Sequence, residues 1–218
     1  MRLQSCRQGI SRMQRQHFSG IFGSMLQTRP RPATYADIEA LPPDVVGEII
    51  SGVLHAHPRP TPRHGVASVE LQYELTGPFR RGRGGPGGWI FIDEPELHLG
   101  PHVVVPDLAG WRQERLTPFP GTAFIDTPPD WLCEVLSPST EKLDRTGKLD
   151  VYAQFGVRHC WYVNPVVRTL EVMELTAERW LLAATFKDDD AVCAPPFQVH
   201  SFSLGVLWAP DGDACSAG

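Results

Sequence analysis

The stretch of sequence that decides the fold is WLCEVLSPSTEKLDRTGKLDVYAQFGVRHCWYVNP, residues 131–165. It begins with an apolar run over residues 131–136, which is typical of a strand buried on both faces. Residues 144–155 then place apolar side chains at helical spacing, and Gly156 supplies a C-terminal stop. A second apolar run over residues 160–163 ends at an Asn-Pro turn. The order strand, helix, strand predicts a mixed sheet of α/β or α+β type.

Similar patterns extend this unit on both sides. Four further apolar runs predict strands, at residues 89–92, 103–105, 170–175 and 180–186. Upstream, the pattern predicts a short helix at 35–41, a hairpin at 48–56 and a packed helix at 64–75. The apolar positions of the packed helix include Val66, Val69 and Leu75. Residues 80–88, RRGRGGPGG, predict a flexible basic loop, because glycine and proline interrupt regular structure.

Composition favours a soluble protein with one domain. The 218 residues are enough for a single sizeable core. No apolar run reaches the roughly eighteen residues that a membrane span requires. The five cysteines include no C-x-x-C pair, and Cys133 and Cys160 lie inside apolar runs. This usage favours reduced thiols in a cytoplasmic protein over a disulfide framework or a zinc site.

Charge is distributed unevenly along the chain. Residues 1–31 carry six arginines and no acidic residue, whereas all twenty-five acidic residues follow. The acidic excess of the remaining chain excludes wholesale non-specific binding of nucleic acid, which needs a basic surface. The opening has the composition of a transit peptide, but we favour a poorly ordered upstream extension with Met25 as the true start. We expect this extension, a domain over residues 32–208 and a tail over 209–218.

Two acidic residues occur at apolar runs, where a carboxylate is costly to desolvate. Asp107 follows the run VVVP, and Glu134 lies in the first run of the quoted stretch. Turn chemistry or an arginine partner explains each residue taken alone. Together, at matching strand ends, they predict a site for a hard divalent cation, with the carbonyl of Val135 as a third ligand. Lys148 in the next helix is placed to orient a water or to offset charge on a phosphorane.

Other groups suggest weaker alternatives. His55, His57 and His64 suggest a transition metal, but their spacing fixes no third ligand. The chain contains no G-x-S-x-G motif, which argues against a serine hydrolase. The basic loop at 80–88 has the charge to follow a phosphate backbone, although we favour a solvated connection.

An ordered series of motifs resembles a known family. The series comprises PD at 106–107, EVLSPST at 134–140, DRTGKLDVY at 144–152, GV at 156–157 and WYVNP at 161–165. The upstream stretch GEIISG at 47–52 adds to it. On these motifs, over about residues 33–208, the chain resembles the Uma family of restriction-endonuclease-like proteins in the PD-(D/E)XK nuclease superfamily.

The resemblance implies an α/β restriction-endonuclease-like fold with a central mixed β-sheet flanked by helices. It also implies that Asp107 and Glu134 bind Mg²⁺, or Mn²⁺ as a substitute, and that Glu48 is an early acidic member of the site. The superfamily places a lysine two residues after the glutamate, where this chain has Leu136.

The resemblance implies that a lysine on the following helix takes the place of the missing one, as in related proteins. Lys148 and Lys142 are the two candidates. We favour Lys148, because it lies one helical turn before Tyr152 and on the same face.

The sequence therefore predicts a magnesium-dependent endonuclease that hydrolyses DNA phosphodiester bonds. Its catalytic residues are Asp107, Glu134, Lys148 and Glu48. A homodimer is expected by analogy with enzymes that cut both strands. Two alternatives stay open: a catalytically silent nuclease-fold protein used for nucleic-acid binding or assembly, and a metal-dependent hydrolase of a small phosphoester.

Overall fold

The quoted stretch forms the expected strand, helix and strand in the computed structural model, which describes residues 31–210. The predictions for residues 1–30 and 211–218 lie outside the described residues. The strands are β1 (Val45–Ile50), β2 (Val53–Pro58), β3 (Trp89–Asp93), β4 (Leu97–Leu99), β5 (His102–Val104), β6 (Leu108–Arg112), β7 (Trp131–Val135), β8 (His159–Asn164), β9 (Thr169–Thr176), β10 (Arg179–Lys187), β11 (Ala191–Val192) and β12 (Phe202–Ser203).

The helices of the described residues are few, and all but one are short. They are α1 (Tyr35–Glu39), α2 (Pro62–Leu75), α3 (Glu141–Leu143) and α4 (Leu149–Gln154). A π-helical turn at Thr76–Arg80 follows α2, and a second one at Asp144–Lys148 joins α3 to α4. Two short 3-10 helices lie at Gln113–Leu116 and Leu204–Leu207. Within the described part of the chain, no helix has the length and apolar character needed to cross a bilayer.

A mixed six-stranded sheet forms the centre of the fold, with strand order β10-β9-β8-β7-β6-β3. Strands β7 and β8 run parallel, because the helical segment between them returns the chain to the same end of the sheet. The other neighbouring pairs of this sheet are antiparallel. A four-stranded sheet has the order β2-β1-β5-β4, and β11 pairs with β12.

The side chains of β7 alternate between two hydrophobic cores, one on each face of the six-stranded sheet. Cys133 and Val135 belong to the core that contains residues of α2. Leu132 and Leu136 belong to the core that contains residues of α4. By the same alternation, Glu134 lies on the α4 side. The strand therefore carries a carboxylate into a face that is otherwise apolar.

The predicted packed helix is present as α2, with Leu75 buried as expected and Val69 exposed. Ala67, Leu71 and Leu75 recur every four residues and are at most 1% exposed. Val69 and Tyr73 are 60% and 74% exposed. The prediction that Val69 packs is therefore wrong, because two residues turn a helix by roughly 200° and carry Val69 away from the Ala67 side.

Strand β6 has no clear signal in the sequence, because glycine and arginine interrupt its apolar run LAGWR. It forms because it pairs with β3 on one side and β7 on the other. Gly110 permits this pairing, since a Cβ there would lie 3.0 Å from the Phe91 ring and 3.2 Å from the Trp131 ring. Asp107 consequently stands between β5 and β6 rather than simply closing a strand, and β5 itself belongs to the four-stranded sheet.

Candidate functional site

Four acidic residues gather where β1, β6 and β7 approach the helical segment after β7. This acidic cluster consists of Glu48, Asp107, Glu134 and Asp144. Asp107 precedes β6, which is antiparallel to β7, so it lies beside the end of β7. Its Oδ2 accepts a hydrogen bond of 2.7 Å from the N–H of Val135. Glu48 Oε1 likewise accepts a 2.7 Å hydrogen bond from the N–H of Val105. A backbone N–H therefore holds each of these two carboxylates.

Lys148 is the cation of the acidic cluster. Its Nζ lies 2.9 Å from Glu134 Oε1, 3.2 Å from Glu48 Oε1 and 3.3 Å from Asp144 Oδ1. It also donates a 3.2 Å hydrogen bond to the carbonyl of Val105. Lys148 is 2% exposed, and Glu48 and Glu134 are each 1% exposed. Such burial is tolerable only because the opposite charges are in direct contact.

The helical segment at 141–154 positions Lys148 beside Glu134 of β7. Lys148 and Tyr152 lie one turn apart, and both reach the same oxygen, because the Tyr152 hydroxyl donates a 2.6 Å hydrogen bond to Glu134 Oε1. Asp144 lies one turn earlier on the same side. Tyr162 of β8 fixes that turn by donating its hydroxyl to the backbone carbonyl of Asp144 at 2.9 Å.

Two histidines hold the outer carboxylates. His57 Nε2 of β2 lies 3.0 Å from Glu48 Oε2, and this hydrogen bond raises the pKa of His57. His64 Nε2, in the first turn of α2, lies 3.1 Å from Asp107 Oδ1. Burial lowers the pKa of His64, but the Asp107 carboxylate outweighs burial and the pKa is raised overall. Glu48 and Asp107 therefore each have an imidazole partner.

Burial and Lys148 act in opposite directions on the carboxyl groups. For Glu48, burial raises the pKa, but Lys148 and His57 outweigh it and lower the pKa to about 2. For Glu134, burial dominates and holds the pKa well above its usual range despite Lys148. Burial also opposes the charge of Lys148, yet the surrounding carboxyl groups raise its pKa well above its usual range. Burial thus decides the direction of the pKa shift for Glu134, whereas the ion pairs decide it for Glu48 and Lys148.

The carboxyl groups of the acidic cluster are of the kind that binds a hard divalent cation. Within the described residues, however, they do not form a coordination shell. Among residues 31–210, no three His, Cys, Asp or Glu side chains form a group arranged to hold a metal ion. The ammonium of Lys148 stands between three of the carboxyl groups instead. Four carboxyl groups nevertheless exceed the positive charge of one lysine, and their oxygens are the ligands that Mg²⁺ and Mn²⁺ prefer.

A small cavity of about 100 Å³ lies against the two histidines. Its polar lining comes from β2, from the start of α2 and from the loop after β7, and comprises His57, Arg59, Thr61, His64, Ser137, Ser139 and Thr140. The hydroxyl of Ser137 is within 3.0 Å of the hydroxyls of Ser139 and Thr140. This cavity therefore combines cationic groups and hydroxyl donors next to the carboxylates.

The structure brings most of the sequence-predicted site residues together. Glu48, Glu134 and Lys148 are in direct contact, and Asp107 is joined to the next residue, Val135. The carbonyl of Val135 was predicted as a metal ligand. In the structure, the N–H of Val135 is the group that contacts a predicted site residue, Asp107. Of the two candidate lysines, Lys142 is exposed on α3 and makes no ion pair within the described residues.

Leu136, in the superfamily's lysine slot, is 2% exposed and belongs to the core on the α4 side. The sequence did not indicate Asp144 as an acid of the site. Its position one helical turn before Lys148 was the signal that would have found it. The weaker alternative of a transition metal involved His55, His57 and His64, and in the structure His57 and His64 each contact a carboxylate.

Comparison with known proteins connects this geometry to a family. The fold resembles the crystal structure of a "putative nuclease belonging to DUF820" from Anabaena variabilis, with a TM-score of 0.65 and 21% identity, covering 81% of this chain and 98% of that chain. This likeness confirms the predicted fold class. No curated protein matches the chain. A family model described as "Putative restriction endonuclease" matches residues 32–206, and the chain therefore belongs to the Uma2 family.

Proposed function

We propose that the chain is a divalent-metal-dependent endonuclease that hydrolyses DNA phosphodiester bonds at the acidic cluster. The observation that carries this proposal is the contact of Lys148 with Glu48 and Glu134, beside Asp107. A lysine and acids from separate strands are the groups that phosphodiester hydrolysis needs. Membership of the Uma2 family and the nuclease-like fold support the same reaction class.

In this proposal Asp107, Glu134 and the carbonyl of Val135 would hold Mg²⁺, or Mn²⁺ in its place. A bound metal of this kind lowers the pKa of a coordinated water and offsets charge on the phosphate. Burial raises the pKa of Glu134, and a bound cation would favour its ionised form. Asp107 is held in place by the N–H of Val135 and by His64.

Lys148 would position the attacking water or stabilise the anionic transition state. Its charge is secure, because the carboxyl groups raise its pKa well above the ordinary value. Glu48 would keep Lys148 in position, since Glu48 is ionised and is itself fixed by His57. Tyr152 would restrain Glu134 through its hydrogen bond.

The small cavity beside the histidines would admit the phosphate to be cleaved. Arg59 and His57 bring positive charge to a part of the chain that is acidic on balance. The hydroxyls of Ser137, Ser139 and Thr140 supply neutral donors at the other wall. A volume of about 100 Å³ accommodates a phosphate group but not a base, so the rest of the polynucleotide would remain outside.

Nicking of supercoiled plasmid by the purified full chain tests the proposal. Wild type is expected to nick the plasmid with Mg²⁺ or Mn²⁺ and not with EDTA, whereas Asp107→Ala should be inactive. Asp150→Asn is the matched control, because Asp150 is exposed on α4 away from the acidic cluster. Equal activity of wild type and Asp107→Ala would refute the nuclease proposal.

A catalytically silent nuclease-fold protein is the second candidate. Lys148 already neutralises part of the acidic cluster, and no metal-binding group is assembled among the described residues. Gel-shift assays separate the two candidates, because the silent protein would retain labelled DNA without cleaving it under any divalent metal. Offering nucleotides alongside plasmid would reveal a hydrolase of small phosphoesters.

The proposed enzyme would act in the cytoplasm, as a homodimer if it cuts both strands. Cys133 and Cys160 are free buried thiols, which suits a reducing compartment. Sedimentation equilibrium of the full chain tests the homodimer directly.

A further inference from the structure

A second polar cavity, of about 420 Å³, lies at the end of the six-stranded sheet opposite to the acidic cluster. The strand register places it there. The start of β7 pairs with the start of β8 at Trp131 and His159, and the end of β6 lies beside them. Glu134 and Val135 lie at the other end of β7, and four residues of strand correspond to roughly 13 Å. The two cavities are therefore separate sites.

Three arginines give this cavity a positive character. Arg112, Arg115 and Arg158 line it, and Asp130 is the acidic residue of its lining. Both carboxylate oxygens of Asp130 already have partners. Oδ1 pairs with Arg115 Nη1 at 2.6 Å, and Oδ2 accepts a hydrogen bond of 2.8 Å from the backbone N–H of Arg112. Within residues 31–210, the guanidinium groups of Arg112 and Arg158 have no carboxylate ion pair.

Two further features prepare the cavity for an anion. The guanidinium carbon of Arg112 lies 4.2 Å from the centre of the Trp89 ring, a cation–π contact that restrains the side chain. His159 also lines the cavity, and its buried Nδ1 has no hydrogen-bond partner among the residues that the structure describes. A buried polar atom of this kind is costly unless a ligand or water satisfies it.

We propose that this cavity binds the phosphate group of a small phosphate monoester, of nucleoside monophosphate size. Two unpaired guanidinium groups match the double negative charge of a phosphate monoester, and planar guanidinium groups bind phosphate oxygens in pairs. The volume lies within the range of small-molecule pockets and exceeds what a bare phosphate needs. The site is independent of the acidic cluster and does not rest on the proposed nuclease activity.

Isothermal titration calorimetry of the full chain with AMP and with inorganic phosphate tests the proposal. Wild type is expected to bind AMP more tightly than inorganic phosphate. Arg158→Gln should weaken AMP binding by about tenfold or more, because a hydrogen bond to a charged group is lost. Arg158 is exposed, so this change leaves the core untouched. Arg179→Gln, at an exposed arginine of β10, is the matched control and should bind as wild type does.

Two further variants locate the ligand. Asp107→Asn should keep full AMP affinity, because the acidic cluster is at the other end of the sheet. Arg59→Gln should also keep it, since Arg59 lines only the smaller cavity. The proposal is overturned if wild type binds neither probe, if Arg158→Gln and Arg179→Gln lose affinity equally, or if the loss follows Arg59→Gln. NMR of the His159 ring gives a second readout, because AMP should shift its ring signals in wild type and not in Arg158→Gln.

Discussion

At the scale of single residues, Lys148 holds the acidic cluster together. It contacts three buried carboxyl groups, and its removal would leave Glu134 and Asp144 without a contacting cation and Glu48 with His57 alone. Breaking a buried ion pair by removing one partner costs far more than the pair contributes in total, because the remaining charge stays buried. The stability of the fold and the chemistry of the site therefore depend on the same ammonium.

Lys148→Met is expected to lower the free energy of unfolding by about 3–5 kcal/mol. Lys142→Met is the matched control and should change it by less than about 0.5 kcal/mol, because Lys142 is exposed. Urea unfolding at pH 7 measures both. Adding Glu134→Gln to Lys148→Met should recover part of the loss, since one unpaired acid is removed. Equal effects of the two lysine changes would contradict the central position of Lys148.

The His57–Glu48 hydrogen bond predicts a pH dependence. The pKa of His57 is raised in the folded chain, so its contribution is complete below its ordinary value of 6.5 and is lost as pH rises through the folded pKa. The difference in Tm between wild type and His57→Gln should therefore shrink from pH 6 to pH 9, as calorimetry would show. Glu48→Gln should bring the NMR-titrated pKa of His57 back down. A His57 pKa unchanged by Glu48→Gln would contradict the pairing.

At the scale of elements, the face of α2 shows how packing selects among apolar residues. Leu71→Ala should cost about 2–5 kcal/mol, because Leu71 is fully buried and its removal leaves a cavity. Val69→Ala, on the exposed face, should cost less than about 1 kcal/mol. Chemical denaturation of the two variants measures the difference. Comparable losses would contradict the burial of Leu71 and the exposure of Val69.

Much of the fold and part of the site could be predicted from the sequence. The strands around residues 131–165 are long apolar runs, and family motifs pointed to Glu48, Asp107 and Glu134. The partner of Glu48 could not be predicted, because it depends on the register of β1 and β2. His55 stands directly opposite Glu48 in that register, yet the diagonal neighbour His57 makes the contact.

Strand β6 was missed for a related reason. Its stability comes from pairing on both edges and from the close approach of rings to Gly110, which are tertiary effects. The strand propensity of the residues in β6 reflects neither of these tertiary effects. The position of Asp107 relative to β7 depends on this strand, so the geometry of the site was predictable only in outline.

At the scale of the whole molecule, the proposed binding of a divalent cation at the acidic cluster would link the stability of the fold to that cation. A ligand that binds only the folded chain stabilises it by about 2.7 kcal/mol at a hundredfold excess over its Kd. Mn²⁺ or Mg²⁺ should therefore raise the Tm of wild type and of Asp150→Asn. The rise should be absent in Asp107→Asn and in Glu134→Gln. An equal rise in all four proteins would show that the cation acts elsewhere.

The π-helical turn at Asp144–Lys148 makes the acidic cluster sensitive to chain length rather than to side-chain identity alone. Each residue advances an α-helix by about 100°, and a π-helical turn holds more residues than an α-helical one, so deletion of the uncharged Thr146 or Gly147 would change the direction of Lys148 relative to Glu134 without changing any charge. An insertion would do the same in the opposite direction. The direction from which a cation reaches Glu134 is therefore set by the length of this turn as well as by the identity of residue 148.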